Sequence, residues 1–174
     1  MARTNRFWIP VLVGLLVAVL LGPAGVTATE PRVTVTAVMV PAAAFIPASD
    51  TFVYGNGGRT LSVLSGHGSF TAPLFFPVPV VRINRITLYA FDNSSPAMIC
   101  VQLFRTRPAA AAEDEAGQVC SGNSAIDPQV AYTTAIDPRQ VGATVQGAYL
   151  WVYLSDPGVR LYGVKVNYSY DTGA

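Results

Sequence analysis

The chain has 174 residues, 51% of them hydrophobic and only 12% charged, and its 11 basic and 10 acidic side chains leave a net charge of +1. A soluble domain usually carries about 25% charged residues, so no basic surplus is available to neutralise phosphates, and nucleic acid is excluded as a partner. The apolar content excludes intrinsic disorder, and the length suits one domain.

Arg3 and Arg6 precede an uncharged run from Phe7 to Thr29, and Gly22, Pro23 and Gly25 break it before the small residues Val26, Thr27 and Ala28. A charged head, an apolar stretch and a small-residue site form a secretory leader. Residues 1–28 are therefore expected to be a cleaved signal peptide and 29–174 a single exported domain, with no membrane attachment once the leader is gone. An uncleaved anchor is the alternative, because 23 uncharged residues are just long enough for a bilayer of about 30 Å. Trp8 leaves with the leader, so Trp151 is the sole tryptophan of the expected exported protein. Arg outnumbers Lys ten to one, and Ala, Val and Pro are abundant, as in proteins of GC-rich bacterial genomes.

Cys100 and Cys120 are the only cysteines. An even count in an exported chain predicts a disulfide between them. Closing a loop of this length contributes roughly 3 kcal/mol in the chain-entropy account. A zinc site would need further His or Cys ligands that the sequence does not provide nearby.

Period two dominates the rest of the chain. Val33–Val40 alternates as a strand; Pro41–Pro47 is bracketed by prolines and excluded from a sheet centre. Thr51–Tyr54 runs into the tight reversal Gly55–Gly58, Thr60–Ser65 resumes the pattern, and Ser69–Phe76 continues it beyond Gly66-His67-Gly68. Pro73, Pro77 and Pro79 mark an edge or an irregular crossing. Arg85–Phe91 and Met98–Arg105 alternate on either side of the turn residues Asp92–Pro96 and are expected to form a hairpin. Pro108–Gly117, with four alanines and then Glu113, Asp114 and Glu115, is expected to be a solvated excursion, with a short helical turn as the alternative. The repeated Ala-Ile-Asp-Pro at 125–128 and 135–138 is read as two strand-to-turn junctions flanking a strand at Val130–Thr134, rather than as a ligand-bearing aspartate pair. Ala148–Leu154 alternates Tyr149, Trp151 and Tyr153 with Leu150, Val152 and Leu154. Val159–Tyr170 places Tyr162, Val164, Val166, Tyr168 and Tyr170 on one side. Eight or nine short strands without a helical crossover predict an all-β, antiparallel β-sandwich, jelly-roll-like, with one disulfide.

The segments Ala44–Pro47 (AFIP), Ile86–Asn93 (ITLYAFDN), Val101–Arg105 (VQLFR), Tyr149–Leu154 (YLWVYL) and Leu161–Tyr168 (LYGVKVNY) follow one another in an order that resembles a group of secreted bacterial β-sandwich proteins, jelly-roll-like in fold. The resemblance implies the fold and brings no activity or site residues with it.

Catalytic signatures are missing from the sequence. His67 is the sole histidine and is flanked by glycines, and no nucleophile elbow of the form Gly-x-Ser-x-Gly occurs. The phosphate-loop lysine is lacking around Gly55–Gly58. A structural calcium would draw on Asp92, Asn93, Asp127, Asp137 or Asp156, without a recognisable calcium loop. No catalytic residue, metal ligand or cofactor is therefore assigned, and the protein is expected not to be an enzyme; a hydrolase working through two carboxylates is the remaining catalytic alternative. The feature that needs explaining is the last-but-one strand, apolar on both faces. If Leu150, Val152 and Leu154 face the core, the pleat sends Tyr149, Trp151 and Tyr153 outward, and three such rings present about 450–750 Å² of apolar surface. Either the protein covers them internally, through reversed faces or through the Pro-rich segment and the disulfide loop, or they are a ligand-binding surface. In the second case the first expectation is protein–protein contact or surface assembly, by self-association or with a surface protein. The early strand is then available to extend a neighbour's sheet. A carbohydrate platform is the alternative.

Overall fold

A computed structural model describes residues 32–93, 95–142 and 144–172. The expected leader, residues 1–28, and the start of the expected domain lie outside the described residues. Twelve strands make two antiparallel sheets among the described residues: β1 (Val33–Pro41), β2 (Ile46–Pro47), β3 (Tyr54–Asn56), β4 (Leu61–Val63), β5 (Gly68–Leu74), β6 (Val80–Asp92), β7 (Ile99–Arg107), β8 (Ala112–Cys120), β9 (Ser124–Thr133), β10 (Gln140–Gly142), β11 (Gly147–Leu154) and β12 (Arg160–Asp171). In the larger sheet β12 pairs with β6 on one side and with β1 and β4 on the other; β9 and β10 share the far edge of β6, and β3 pairs with β4. The smaller sheet runs β2-β5-β11-β7-β8.

The two sheets bury their aliphatic faces against each other. Leu150, Val152 and Leu154 of β11, with Ile99, Val101 and Leu103 of β7, are fully enclosed, as are Ile83, Ile86 and Leu88 of β6 and Leu161, Val164 and Val166 of β12. Each such side chain contributes about 1.5–3 kcal/mol relative to exposure. The result is the predicted all-β sandwich, jelly-roll-like, with Cys100 bonded to Cys120. The reversal at Gly55–Gly58 also appears, closing β3 onto β4 with Gly58 at φ 81°.

Three expectations are corrected. The segments on either side of Asp92–Pro96 do not form a hairpin: β6 belongs to the larger sheet and β7 to the smaller, so the turn carries the chain across the sandwich. A buried polar clasp holds that crossing. Ser121 Oγ donates to Asp92 Oδ2 at 2.6 Å, Gln129 Nε2 donates to the Asp92 carbonyl at 2.7 Å, and the Ile99 amide donates to Ser121 Oγ at 2.9 Å. Pairing these groups removes the cost of burying Asp92 and Gln129.

Second, the Pro108–Gly117 segment is not a solvated excursion: the alternative, a short helical turn, appears as a 3-10 turn at Pro108–Ala110, and β8 then pairs with β7, with one register shift between Leu103 and Phe104, and reaches Cys120 opposite Cys100. Weak strand formers are held there by tertiary pairing. Third, the first Ala-Ile-Asp-Pro lies inside β9, an edge strand where Pro128 withholds no needed donor, while the second lies in the connection from β9 to β10.

Strict alternation also fails in β12, whose pairing with β6 shifts register twice, at Leu161/Gly163 and at Asn167/Tyr168. A register shift between Leu161 and Gly163 keeps both Leu161 and Val164 inside and turns Tyr162 outward. Glycine is required at this bulge: a Cβ on Gly163 would stand 2.8 Å from the Val40 carbonyl oxygen of β1.

Candidate functional site: an aromatic row on the smaller sheet

In β11 the buried residues alternate with Tyr149, Trp151 and Tyr153, all half-buried, on the outer face of the smaller sheet. The core faces are therefore not reversed, and the rings do not fill the sandwich. Their partial burial comes from contact with one another and with the flanking strands. Trp151 and Tyr153 are near-parallel, 5° apart with centroids 6.1 Å apart, and Tyr149 lies near-parallel to Phe104 of β7, at 12° and 5.2 Å. Phe104 stands opposite Tyr149 in the β11–β7 register, so the row holds four rings rather than three.

Polar side chains border the row on both sides. Gln102 faces Trp151 from β7, and Thr71 faces it from β5. From β8, Glu113 accepts a hydrogen bond from the Tyr149 hydroxyl at 2.8 Å, and Glu115 accepts one from Gln102 Nε2 at 2.9 Å. Burial, and then the hydrogen bond to Glu113, push the Tyr149 phenol up to about 12, so it stays protonated and donates throughout the ordinary pH range. At the other end the His67 ring lies 5.8 Å from Tyr153. Beside it opens a recess of about 460 Å³ lined by Ser49, Thr51, Ser65, His67 and Ser69 among others. Gly68 sits under this recess, where a Cβ would meet the Phe52 ring at 2.5 Å.

The Cys100–Cys120 bond lies on the same outer face, with Cys100 opposite Tyr153. Asp114 projects to the other side of β8, where Arg105 and Arg107 hold it at 2.7 and 2.8 Å. The hydrogen bond from Arg105 lowers the Asp114 carboxyl below the usual carboxylate range, against an opposing desolvation and with help from Arg107.

Of the residues singled out from sequence, Tyr149, Trp151 and Tyr153 are thus brought together, and His67 joins them. Phe104, Gln102, Glu113 and Glu115 were missed as neighbours. The pleat of β7 could have placed Gln102 and Phe104 on this face, but counting by twos from Cys100 opposite Cys120 turns Asp114 outward; the register shift between Leu103 and Phe104 brings Glu113 and Glu115 to the outer face instead. Asp127 is committed elsewhere, accepting from the Tyr162 hydroxyl at 2.5 Å. Among the described residues no three His, Cys, Asp or Glu side chains converge in a way that would hold a metal ion, and no helix is long and apolar enough to cross a membrane. A larger groove of about 710 Å³ lies at the β1–β6–β12 end, with Val33, Val78, Pro79, Val80 and Tyr170 in its lining. Its lining holds one ring, Tyr170, which stacks on the buried Tyr168, whereas the smaller sheet presents four half-buried rings on its outer face.

No protein-family model matches the chain, and no curated protein matches it. Solved structures do resemble it. The xylanase 10B CBM22-1–GH10 modules of Clostridium thermocellum, solved with xylohexaose, align over 84% of this chain at 8% identity and a TM-score of 0.51; the chain spans 30% of that longer protein. The C-terminal CBM6 of LamC from Zobellia galactanivorans aligns over 75% of this chain and 98% of its own, at 10% identity and a TM-score of 0.48. A xylan-binding module, CBM15, aligns over 77% and 97% at 12% identity and 0.45. At 8% identity the first of these likenesses speaks for the fold alone.

Proposed function

We propose that the protein is an exported, non-catalytic module that binds carbohydrate along the outer face of the smaller sheet. The observation that carries this reading is the row of half-buried rings, Phe104, Tyr149, Trp151 and Tyr153, bordered by hydrogen-bonding side chains and ending in a recess rich in hydroxyls. Sugar rings present apolar C–H faces to aromatic surfaces, and their hydroxyls take up side-chain amides, carboxylates and hydroxyls at the margin. The sandwich core supports the row from beneath, so the rings are ordered before a ligand arrives and little entropy is lost on binding. The weak likeness to solved modules supports the fold and adds nothing to the choice of ligand.

The test is the emission of Trp151 in exported protein titrated with soluble oligosaccharides. A saturable change that Trp151→Ala removes, with isothermal titration giving the same affinity for the parent, is the expected result. Emission unmoved by every glycan, together with no heat of binding, overturns the reading.

A second reading, contact between protein chains, has its own observation. β1 hydrogen-bonds to β12 on one edge, is regular along its length, and exposes Val33, Val35 and Met39 on its outer face. An edge strand without charge or bulge is a template for another strand. Light scattering on exported protein tests it: a mass above one chain that Val35→Lys returns to one chain supports contact through β1, and a single-chain mass at every concentration removes self-association.

A further inference from the structure

The glycan face has a charge pattern that narrows its ligand. Rings on the two outer faces are treated differently. On the larger sheet the Arg85 guanidinium lies over Tyr132 at 4.5 Å and Arg160 lies over Phe91 at 5.2 Å. On the smaller sheet no Arg or Lys stands over any ring of the row among the described residues. The strands that build that face, β2, β5, β11, β7 and β8, contain two cationic side chains, Arg105 and Arg107, and both are turned to the opposite side onto Asp114. What borders the row instead is Glu113 and Glu115, both exposed, each accepting one hydrogen bond through a single oxygen.

An electron-rich ring face with no resident cation attracts an ammonium group. A carboxylate already aligned by a neutral donor, here the Tyr149 hydroxyl or Gln102 amide, keeps its charge and its second oxygen for another donor. A uronate or sulfated sugar brought to the same place meets like charge with no counter-charge on the face. We propose that Glu113 and Glu115 select an amino-sugar glycan, one carrying free protonated amines, and exclude acidic glycans. This rests on the carbohydrate reading above and deepens it. Sugar rings lie along Phe104, Tyr149 and Trp151, and an amine on the chain meets the carboxylates of β8 at the Tyr149 end. The hydroxyl-lined recess beside His67 takes the uncharged end of the ligand.

The experiment compares three oligosaccharides of equal length by calorimetry and Trp151 emission, under mildly acidic conditions that keep the amine protonated: a glucosamine oligomer, its fully N-acetylated counterpart and a galacturonate oligomer. The glucosamine oligomer is expected to bind about tenfold more tightly than the acetylated one, the increment of a charge-assisted contact, and the galacturonate not at all. The preference should weaken with added salt. E113Q combined with E115Q should abolish the preference, bringing the glucosamine oligomer down to the affinity that the same variant shows for the acetylated one, while leaving the circular dichroism spectrum unchanged. Equal affinity for the amino and acetylated oligomers, or tightest binding of galacturonate, overturns the selection by Glu113 and Glu115 and leaves carbohydrate binding standing. Silence of Trp151 and of the calorimeter with all three, and with neutral glucans and xylans, overturns both.

Discussion

The outer faces of the two sheets are built from the same alternation and end up chemically opposite. On the larger sheet two aromatic side chains, Tyr132 and Phe91, are capped by the protein's own guanidinium groups, and exposed aliphatics cluster on edge strand β1. On the smaller sheet the rings lie near-parallel, touch one another, and have carboxylates, amides and hydroxyls at their margins. Composition alone does not separate the two, since both faces carry aromatic residues. The cations do: where Arg covers a ring, the ring's attraction for a positive ligand is already satisfied within the chain.

Substitutions test this contrast at decreasing scales. Leu150→Ala, directly beneath the row, removes a fully enclosed side chain and should cost about 2–5 kcal/mol in urea unfolding. Replacing Cys100 and Cys120 together with serine should cost roughly 3 kcal/mol by the same measurement, because the unfolded chain regains the freedom of a 20-residue loop. Trp151→Ala should cost only about 1 kcal/mol, as expected for a half-buried outer-face ring, yet lower glycan affinity by about tenfold or more. A stability loss matching that of Leu150→Ala would place the ring in the structural core and break the contrast. Arg85→Ala, which uncovers Tyr132, should cost about 0.5–1 kcal/mol and leave glycan affinity unchanged; an affinity change would mean that the larger sheet also takes part.

The smallest effect is a pH dependence. Arg105 holds the Asp114 carboxyl below its ordinary value, so the folded state binds its proton less readily than the unfolded one. The stability this gives is present above the ordinary carboxylate value, about pH 4, and is lost as the pH falls through the lowered folded-state value. Urea midpoints taken at descending pH should therefore fall less steeply in Arg105→Ala than in the parent. Parallel curves would show that the pair does not couple to folding.

How far the sequence could be read depended on which forces dominate locally. β11 was legible because each of its residues obeys the pleat, and β1 likewise. β8 was not: Ala, Glu, Asp and Gly are poor strand formers, and only the partner strand, fixed by Cys100 and Cys120, makes the segment extended. The crossing at Asp92–Pro96 was misread because turn residues announce a reversal without saying whether the chain returns to the same sheet. What decides that is the clasp of Asp92 with Ser121 and Gln129, 29 and 37 positions away. In β12 one extra residue at the Gly163 bulge moved Tyr162 to the opposite face, a change no count by twos anticipates. The site was half legible for the same reasons. Its rings on β11 follow the pleat, while Glu113, Glu115 and the place of His67 depend on neighbours far along the chain.

Half of the polar margin of the aromatic row belongs to β8, an outermost strand that is tied covalently to its neighbour at Cys120. While the thiols are still reduced, main-chain bonding, the ion pairs of Asp114 with Arg105 and Arg107, and the side-chain hydrogen bonds keep Glu113 and Glu115 alongside Tyr149 and Gln102 without a covalent tie. Oxidation of the two sulfurs thus fixes one border of the aromatic row as well as the scaffold, and on the proposed reading the grip of the row on a glycan would depend on passage through a compartment where such bonds form.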